Sequence, residues 1–205
     1  MDRKRLIRKT LDHFHIPVSE QGLVDLVRFI EELEKWNRTI NLIGLKNMDR
    51  VCAEMLADSF FLYTHILNGG RVIDLGSGSG IAGIPFAILN GALEVFSVDS
   101  NLKKIQFQRH VRRAIGIPNL LPVRGRIEAI DPLGGDHLIA KAYGTSEAIL
   151  QAADRHLATG GLVYIVKGGS ECGISREGYV METSVGYSLP GIKKAYRLLI
   201  YKKIS

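Results

Sequence analysis

The sequence predicts an α/β protein: a doubly wound, mostly parallel sheet closed by a C-terminal β hairpin and preceded by a helical extension. Three observations predict it. Residues 1–70 are helical in pattern; beyond them short apolar runs alternate with helical periods; and the first of those runs, Arg71-Val-Ile-Asp-Leu-Gly-Ser-Gly-Ser-Gly80, ends in an acid and breaks into a glycine-rich turn. Alternating strand and helix signals favour parallel strands joined by crossover helices. Such sheets bind ligands beyond the carboxyl ends of their strands.

The elements follow in order. Ser19 can cap a helix in which Leu23, Val27, Ile30, Leu33 and Trp36 recur at three- and four-residue spacing, and the stretch from Asn37 to Asn47 breaks it. A third helix is expected from about Asp49 to Leu67. Val72, Ile73 and Leu75 form the short apolar run of a parallel strand covered on both faces, and Gly76, Gly78 and Gly80 supply the positive-φ and close-approach positions of the turn. A helix then runs from Ile81 to Leu89, with Pro85 near its first turn, where a missing N–H costs little. Strand Glu94 to Val98, helix Leu102 to Ile115, strand Leu120 to Arg124, strand His137 to Ala142, helix Ser146 to Leu157 and strand Gly161 to Lys167 follow. Gly178 to Tyr187 and Ala195 to Lys202, joined through Ser188-Leu-Pro-Gly191, read as an antiparallel pair. No repeat or low-complexity linker interrupts this division into a helical part, 1–70, and a sheet core, 71–205.

The glycine turn suits two cofactor classes, because Gly78-Ser-Gly-Ile-Ala-Gly83 also satisfies G-x-G-x-x-G. Asp74, two residues before the first glycine, separates them. A nicotinamide dinucleotide brings a pyrophosphate, which wants helix N-terminal amides and no carboxylate. S-adenosylmethionine brings an ammonium and a sulfonium, for which a carboxylate in a partly dry cleft is favourable. Asp99 ends the next strand about 20 residues beyond the glycines, where an acid accepts from both ribose hydroxyls in either class. Asp99 is also a candidate N-cap for the helix near Leu102, as is Ser100.

Composition narrows the classes further. At 205 residues the chain accommodates one α/β domain and an appendage, too little for a dinucleotide domain followed by a substrate domain. Cys52 and Cys172 are far apart and have no metal-ligand spacing, so neither a disulfide framework nor a metal site is expected. No stretch approaches about 18 consecutive apolar residues and Met1-Asp-Arg-Lys-Arg5 lacks an apolar signal core, so a soluble cytoplasmic protein without a membrane partner is expected. Net charge is +6, and its distribution is more telling: from Ser100 to Ile127 there is no acid, while Lys103, Lys104, Arg109, Arg112, Arg113, Arg124 and Arg126 accumulate. Such a region can meet phosphates, although a merely solvated cationic helix face would look similar. Basic sets also open the chain (Arg3, Lys4, Arg5, Arg8, Lys9) and close it (Lys193, Lys194, Arg197, Lys202, Lys203), which favours an acidic macromolecular partner.

Five stretches together resemble the ribosomal RNA small-subunit methyltransferase G family, also called glucose-inhibited division protein B. They are Trp36-Asn-Arg-Thr-Ile-Asn-Leu42, Ala57-Asp-Ser59, Asp74-Leu-Gly-Ser-Gly-Ser-Gly-Ile-Ala-Gly-Ile-Pro85, Val98-Asp-Ser100 followed by Lys103-Lys104, and Val123-Arg-Gly-Arg-Ile-Glu128. The resemblance implies a class I, Rossmann-like S-adenosylmethionine-dependent methyltransferase. It implies transfer to N7 of a guanine in the 530 loop of 16S rRNA, with the small ribosomal subunit as partner and no metal. It further implies that Gly76 and Ile81 are cofactor contacts in the glycine loop, that Ile127 and Glu128 lie beside the adenine and that Asp99 is the ribose acid, with Asp74, Gly78 and Gly80 in the same loop. One departure stands out. Where the family has an arginine in Ser-Arg-Ala-Phe, this chain has Ala140-Lys-Ala-Tyr143, and Lys141 keeps the charge without the planar fork, for the methionine carboxylate or an RNA phosphate.

This chemistry accounts for the absence of a catalytic dyad in the sequence. Guanine N7 carries a lone pair and no proton, so positioning can replace a general base. His13, His15, His65, His110, His137 and His156 are scattered and none is expected to be catalytic. A nearby carboxylate or carbonyl could offset charge developing on the purine, a role not assigned to Asp74 or Glu128. Trp36 is better read as a core anchor than as a base-stacking residue, whereas Asn37 and Asn41 fit RNA contact and helix termination equally. A monomer is favoured. Two rivals remain: a small-molecule methyltransferase, against which the acid-free basic run counts, and a non-catalytic rRNA-binding protein, against which Asp74, Gly76, Gly78 and Asp99 count.

Overall fold

The computed structural model describes residues 2–44, 47–66 and 69–205. Among the described residues, strands β1 (Gly70–Leu75), β2 (Leu93–Asp99), β3 (Leu120–Arg124), β4 (Gly135–Lys141), β5 (Leu157–Gly168), β6 (Tyr179–Ser188) and β7 (Ala195–Lys203) form one sheet in the order β3-β2-β1-β4-β5-β7-β6. β1 to β5 are parallel, and β7 runs antiparallel between β5 and β6. The strand order reverses between β1 and β4, whose carboxyl ends pair Leu75 with Ala140. That switch point leaves a crevice above the sheet.

Both faces of the parallel part of the sheet are covered, as the continuous apolar runs require, while edge strand β6 is largely exposed. Ile73, Leu75, Leu138 and Val163 face α7 (Ser146–His156), with Ile149, Leu150 and Ala153. On the other face, Val72, Val95 and Ile139 share a core with the N-terminal helices and with α5 (Gly83–Leu89) and α6 (Leu102–Ile115). α1 (Arg3–His13) and α2 (Glu20–Asn37) contribute Ile7, Leu11, Leu23, Leu26, Phe29, Ile30 and Leu33 at helical spacing. The helical part and the sheet therefore bury one common core.

Caps confirm several boundaries and move others. Ser19 Oγ accepts from Gly22 N at 3.0 Å, as expected. The α6 cap is Asn101, which accepts from Lys103 N and Lys104 N, and not Asp99 or Ser100. The reason is geometric: Asp99 lies within β2 and already accepts from the Asn101 N–H. α5 begins at Gly83 and not at Ile81, because the chain between Gly78 and Ala82 is still turning. β5 starts directly after α7 at Leu157, four residues before the expected Gly161, and pairs there with Gly135. The expected third helix is a run of α3 (Met48–Arg50), a π-helical segment (Val51–Leu56) and α4 (Ala57–Tyr63); its expected end at Leu67 lies outside the described residues.

Trp36 is a half-buried anchor, edge-on to Phe107 at 5.6 Å and 5.1 Å from the His110 ring. Asn37 Oδ1 accepts from Leu42 N (2.8 Å) and Ile43 N (3.0 Å), so it shapes the turn after α2, while Asn41 is exposed. Phe29 also meets Phe107, with ring centroids 6.4 Å apart. Phe29→Ala should cost about 3–5 kcal/mol. Because helices and sheet share this core, urea unfolding followed by circular dichroism and by Trp36 fluorescence should give one coincident transition; a separate early transition of the helical part would contradict the shared core.

Candidate cofactor cleft

The turn after β1 is built for close approach. Gly76, Gly78 and Gly80 all have positive φ, at 68°, 60° and 73°. A Cβ on Gly76 would lie 2.3 Å from Tyr143 Cδ2, and one on Gly83 would lie 2.9 Å from Asp74 Oδ2. Neither position admits a side chain. Three polar contacts hold the loop in place: Gln108 Nε2 donates to Ser77 Oγ and to Gly78 O, both at 2.8 Å, and Ser59 Oγ donates to Ile81 O at 2.8 Å. α6 and α4 thus clamp the turn from two sides. Gln108 carries no motif signal in the sequence; Ser59 does, as part of Ala57-Asp-Ser59.

Two acids frame the loop. Asp74 is 3% exposed and accepts from Gly83 N at 2.9 Å, so its carboxylate caps α5. Burial pushes its carboxyl up to about 7, although the Gly83 N–H and the charge of Lys141 pull the other way. Asp99 Oδ2 accepts from Gly78 N at 2.9 Å and Oδ1 from Asn101 N at 2.8 Å, with Lys104 Nζ 3.9 Å away. Each oxygen keeps a second lone pair. The Asp99 carboxylate is therefore oriented by the backbone yet still able to accept.

Lys141 has a different environment from the one its position suggests. Its Nζ lies 2.9 Å from Asp58 Oδ2 and donates to Met55 O at 3.1 Å. Asp58 is 4% exposed and also accepts from Tyr187 Oη, so α4, β4 and β6 meet at one carboxylate. The ammonium is thereby largely committed inside the protein. The next residue, Ala142, has φ 55°, an uncommon backbone state for a residue with a Cβ, costing of order 1–3 kcal/mol. It turns the chain so that Tyr143 lies across Gly76.

Three cavities meet at Ala142. The first, of about 370 Å³, is lined by Gly76, Asp99, Lys104, Arg126, Ile127 and Glu128. The second, of about 270 Å³, is lined by Asp74, Gly76, Gly78, Ile81 and Lys141. The third, of about 360 Å³, lies beyond Lys141 and Tyr143. Of the expected cofactor residues, Gly80 alone lines none of them; a Cβ there would meet Ile84 and Gln108 inside the protein. Ile127 and Glu128 sit on a single 3-10 turn whose carbonyls accept from His156 Nε2 (2.8 Å) and Arg155 Nη1 (3.1 Å). His156 is thus a support from behind, and none of the six histidines lines these three cavities. Of the basic residues, Lys104 and Arg126 reach the cleft; Lys103, Arg109, Arg113 and Arg124 are exposed, and Arg112 is half-buried and donates to Pro118 O.

A glycine turn after β1, an acid closing β2 and an antiparallel β7 inserted beside β5 define a class I methyltransferase fold. The chain superposes on TrmN from Thermus thermophilus with a TM-score of 0.59 at 18% identity, over 73% of this chain and about half (49%) of that one. TYW2 from M. jannaschii, solved in complex with AdoMet, matches with a TM-score of 0.56 at 14% identity, over 74% of this chain and 77% of that one. The chain belongs to the rRNA small subunit methyltransferase G family, whose model matches residues 23–197. Relatives bearing that name include those of Legionella pneumophila, 32% identical over 93% of this chain and 90% of its own, and Chromobacterium violaceum, 30% identical over 91% of each.

The buried group at Asp58 yields a test of its own. Asp58→Ala strands the Lys141 ammonium and should cost about 3 kcal/mol or more, whereas Tyr187→Phe removes one hydrogen bond and should cost about 1 kcal/mol. Urea midpoints of the two variants measure the difference, and equal losses would show that Lys141 is not dependent on Asp58.

Proposed function

We propose that this chain transfers a methyl group from S-adenosylmethionine to N7 of a guanine in the 530 loop of 16S rRNA, acting on the small ribosomal subunit in the cytoplasm. Residues 71–205 form the catalytic core, and residues 1–70, outside the common fold, select the substrate. The observation that carries this reading is the continuous cleft around Ala142, lined by eight of the nine residues expected to hold the cofactor, in a chain of this family.

The residues fit the cofactor. Gly78 has only Gly76 O and Lys104 Nζ within 4 Å of a Cβ position, at 3.9 Å, so the backbone there can be approached closely, while over Gly76 the Tyr143 ring takes the place of a Cβ. Asp99 offers its free lone pairs to the ribose hydroxyls. Buried Ile127 gives an apolar wall for the adenine, with Glu128 beside it at the cleft rim. Asp74 faces the cavity on the side of Ile81 and Lys141, where its charge suits the cationic methionine end. S-adenosylmethionine, when bound, supplies an electrophilic methyl group on a sulfonium.

This chain's own task is then positioning. Gln108 and Ser59 hold the glycine loop, Asp99 and Ile127 fix the nucleoside, and Ala142 and Tyr143 wall the reacting side. No residue has to accept a proton, because guanine N7 has none to lose, and this agrees with a cleft that no histidine enters. Lys104 and Arg126 at the cleft, with exposed Lys103 and Arg124 near it, supply a basic flank for RNA phosphates, which Arg109, Arg112 and Arg113 extend along α6 away from the cleft. The target must present N7 outside a regular A-form groove, in a loop or with the base flipped out.

Tritiated methyl transfer to small subunits lacking the mark, mapped by cleavage at 7-methylguanine, tests the reaction; no mark dependent on this protein would refute it. Asp99→Ala should weaken cofactor binding by about 1–3 kcal/mol, and unchanged affinity by calorimetry would remove Asp99 from the ribose site. The Asp74 carboxyl gives a pH signature. With its folded pKa raised to about 7 from an ordinary 3.8, it is substantially protonated at neutral pH, and a bound cation favours the ionised form. Binding should therefore release a proton and tighten as pH rises towards about 7, by at most about tenfold per unit, and level off above it. Asp74→Asn should flatten this profile in calorimetry run in two buffers of different ionisation enthalpy.

A further inference from the structure

The third cavity contains groups for which the cofactor has no use. It opens between the carboxyl ends of β4 and β5, and Asp58, Tyr143, Lys167, Glu171, Lys194 and Tyr196 are among its lining. It shares Lys141 and Ala142 with the cavity around Asp74, and Ala142 and Tyr143 with the cavity around Asp99. A ligand seated in it would meet the methionine end of the cofactor across Ala142.

We propose that this cavity is the pocket for the acceptor base, with Tyr196 as its stacking platform and Glu171 as the carboxylate that reads the N1–H and N2–H₂ edge of guanine; this rests on the methyl transfer proposed above. Tyr196 is backed by a ladder of rings. Phe61 stacks on Tyr187 at 3.8 Å with 19° between planes, and Tyr187 lies 5.5 Å from Tyr196 at 22°. The platform is therefore braced on one face. Over the ring lies Lys194 Nζ, 5.0 Å from the centroid, an exposed cation that an incoming base displaces towards its own phosphate.

The two carboxylates of the cavity differ in what they are free to do. Asp58 is buried and committed to Lys141 and Tyr187. Glu171 is exposed, and its contact with Lys167 is a loose 3.5 Å pair of the kind worth little in solvent. Lys167 has its own fixed partner, donating to Gly144 O at 2.8 Å. Glu171 can thus turn to accept two hydrogen bonds from guanine. Adenine offers a lone pair at N1 instead of a donor, which a carboxylate repels.

Methyl transfer kinetics on small subunits lacking the mark, with cofactor affinity measured separately by calorimetry, test the assignment. Tyr196→Leu keeps apolar bulk and loses the π face; it should lower kcat/KM by roughly tenfold or more, mainly through KM, with cofactor affinity unchanged, whereas Tyr196→Phe should stay near wild type. Glu171→Gln, an exposed change that threatens no core, should also lower kcat/KM and should lose the wild-type preference for guanine over inosine in subunits reconstituted with inosine at the target. Wild-type kcat/KM in both Tyr196→Leu and Glu171→Gln, with an active parent, would overturn the pocket. Should Tyr196→Leu unfold, Glu171→Gln decides. A parent that transfers no methyl group would instead refute the reaction itself.

Discussion

The carboxylate of Asp74, buried at the end of β1 and bonded to the first amide of α5, is the constraint on which the site depends. It lets the chain leave the sheet through three left-handed glycines and enter a helix without a side-chain cap from the preceding residue. Burial raises the cost of its charge, and the Gly83 N–H and Lys141 offset only part of that cost. A carboxylate held in this state favours a neighbouring cation, so the interaction that shapes the turn also sets its local charge preference.

The remaining supports converge on the same turn from distant segments. Ser59 reaches it from the helical part, Gln108 from α6, and Tyr143 covers Gly76 from the end of β4. Asp58 then ties α4 to β4 through Lys141 and to β6 through Tyr187. A buried ion pair adds little net stability compared with an apolar replacement, but it fixes geometry because a misplaced partner leaves an uncompensated charge. Here it fixes the wall between the cofactor side of the cleft and the cavity beyond. The helical part is thereby a structural component of the site as well as its flank.

Much of this was legible in the residues. The strand ending in Asp74, the acid at Asp99, the turn carrying Ile127 and Glu128, and the alternation of elements were placed close to where they lie, because each rests on local patterns of two to five residues. What failed to show was long-range. The turn at Gly80 looks like its neighbours in sequence, yet its missing Cβ serves packing against Ile84 and Gln108. Asn101 took the α6 cap because pairing within β2 had already committed Asp99. Gln108 and His156 support the site through contacts about 30 residues away in the chain, for which a single sequence contains no signal.

The sequence by itself determined the class of fold, the glycine turn with the acids Asp74 and Asp99 that frame it and the acid-free basic run, since backbone freedom at glycine, strand burial and charge are properties of neighbouring residues. Tertiary structure alone decided that Lys141 is held by Asp58, that Ala142 is forced into a left-handed turn, and that Tyr196 stands on a stack of two further rings at the edge of the cleft. These are relations between residues up to 129 positions apart, as between Asp58 and Tyr187. They exist only once sheet pairing has set β4, β5 and β7 side by side against the helical part.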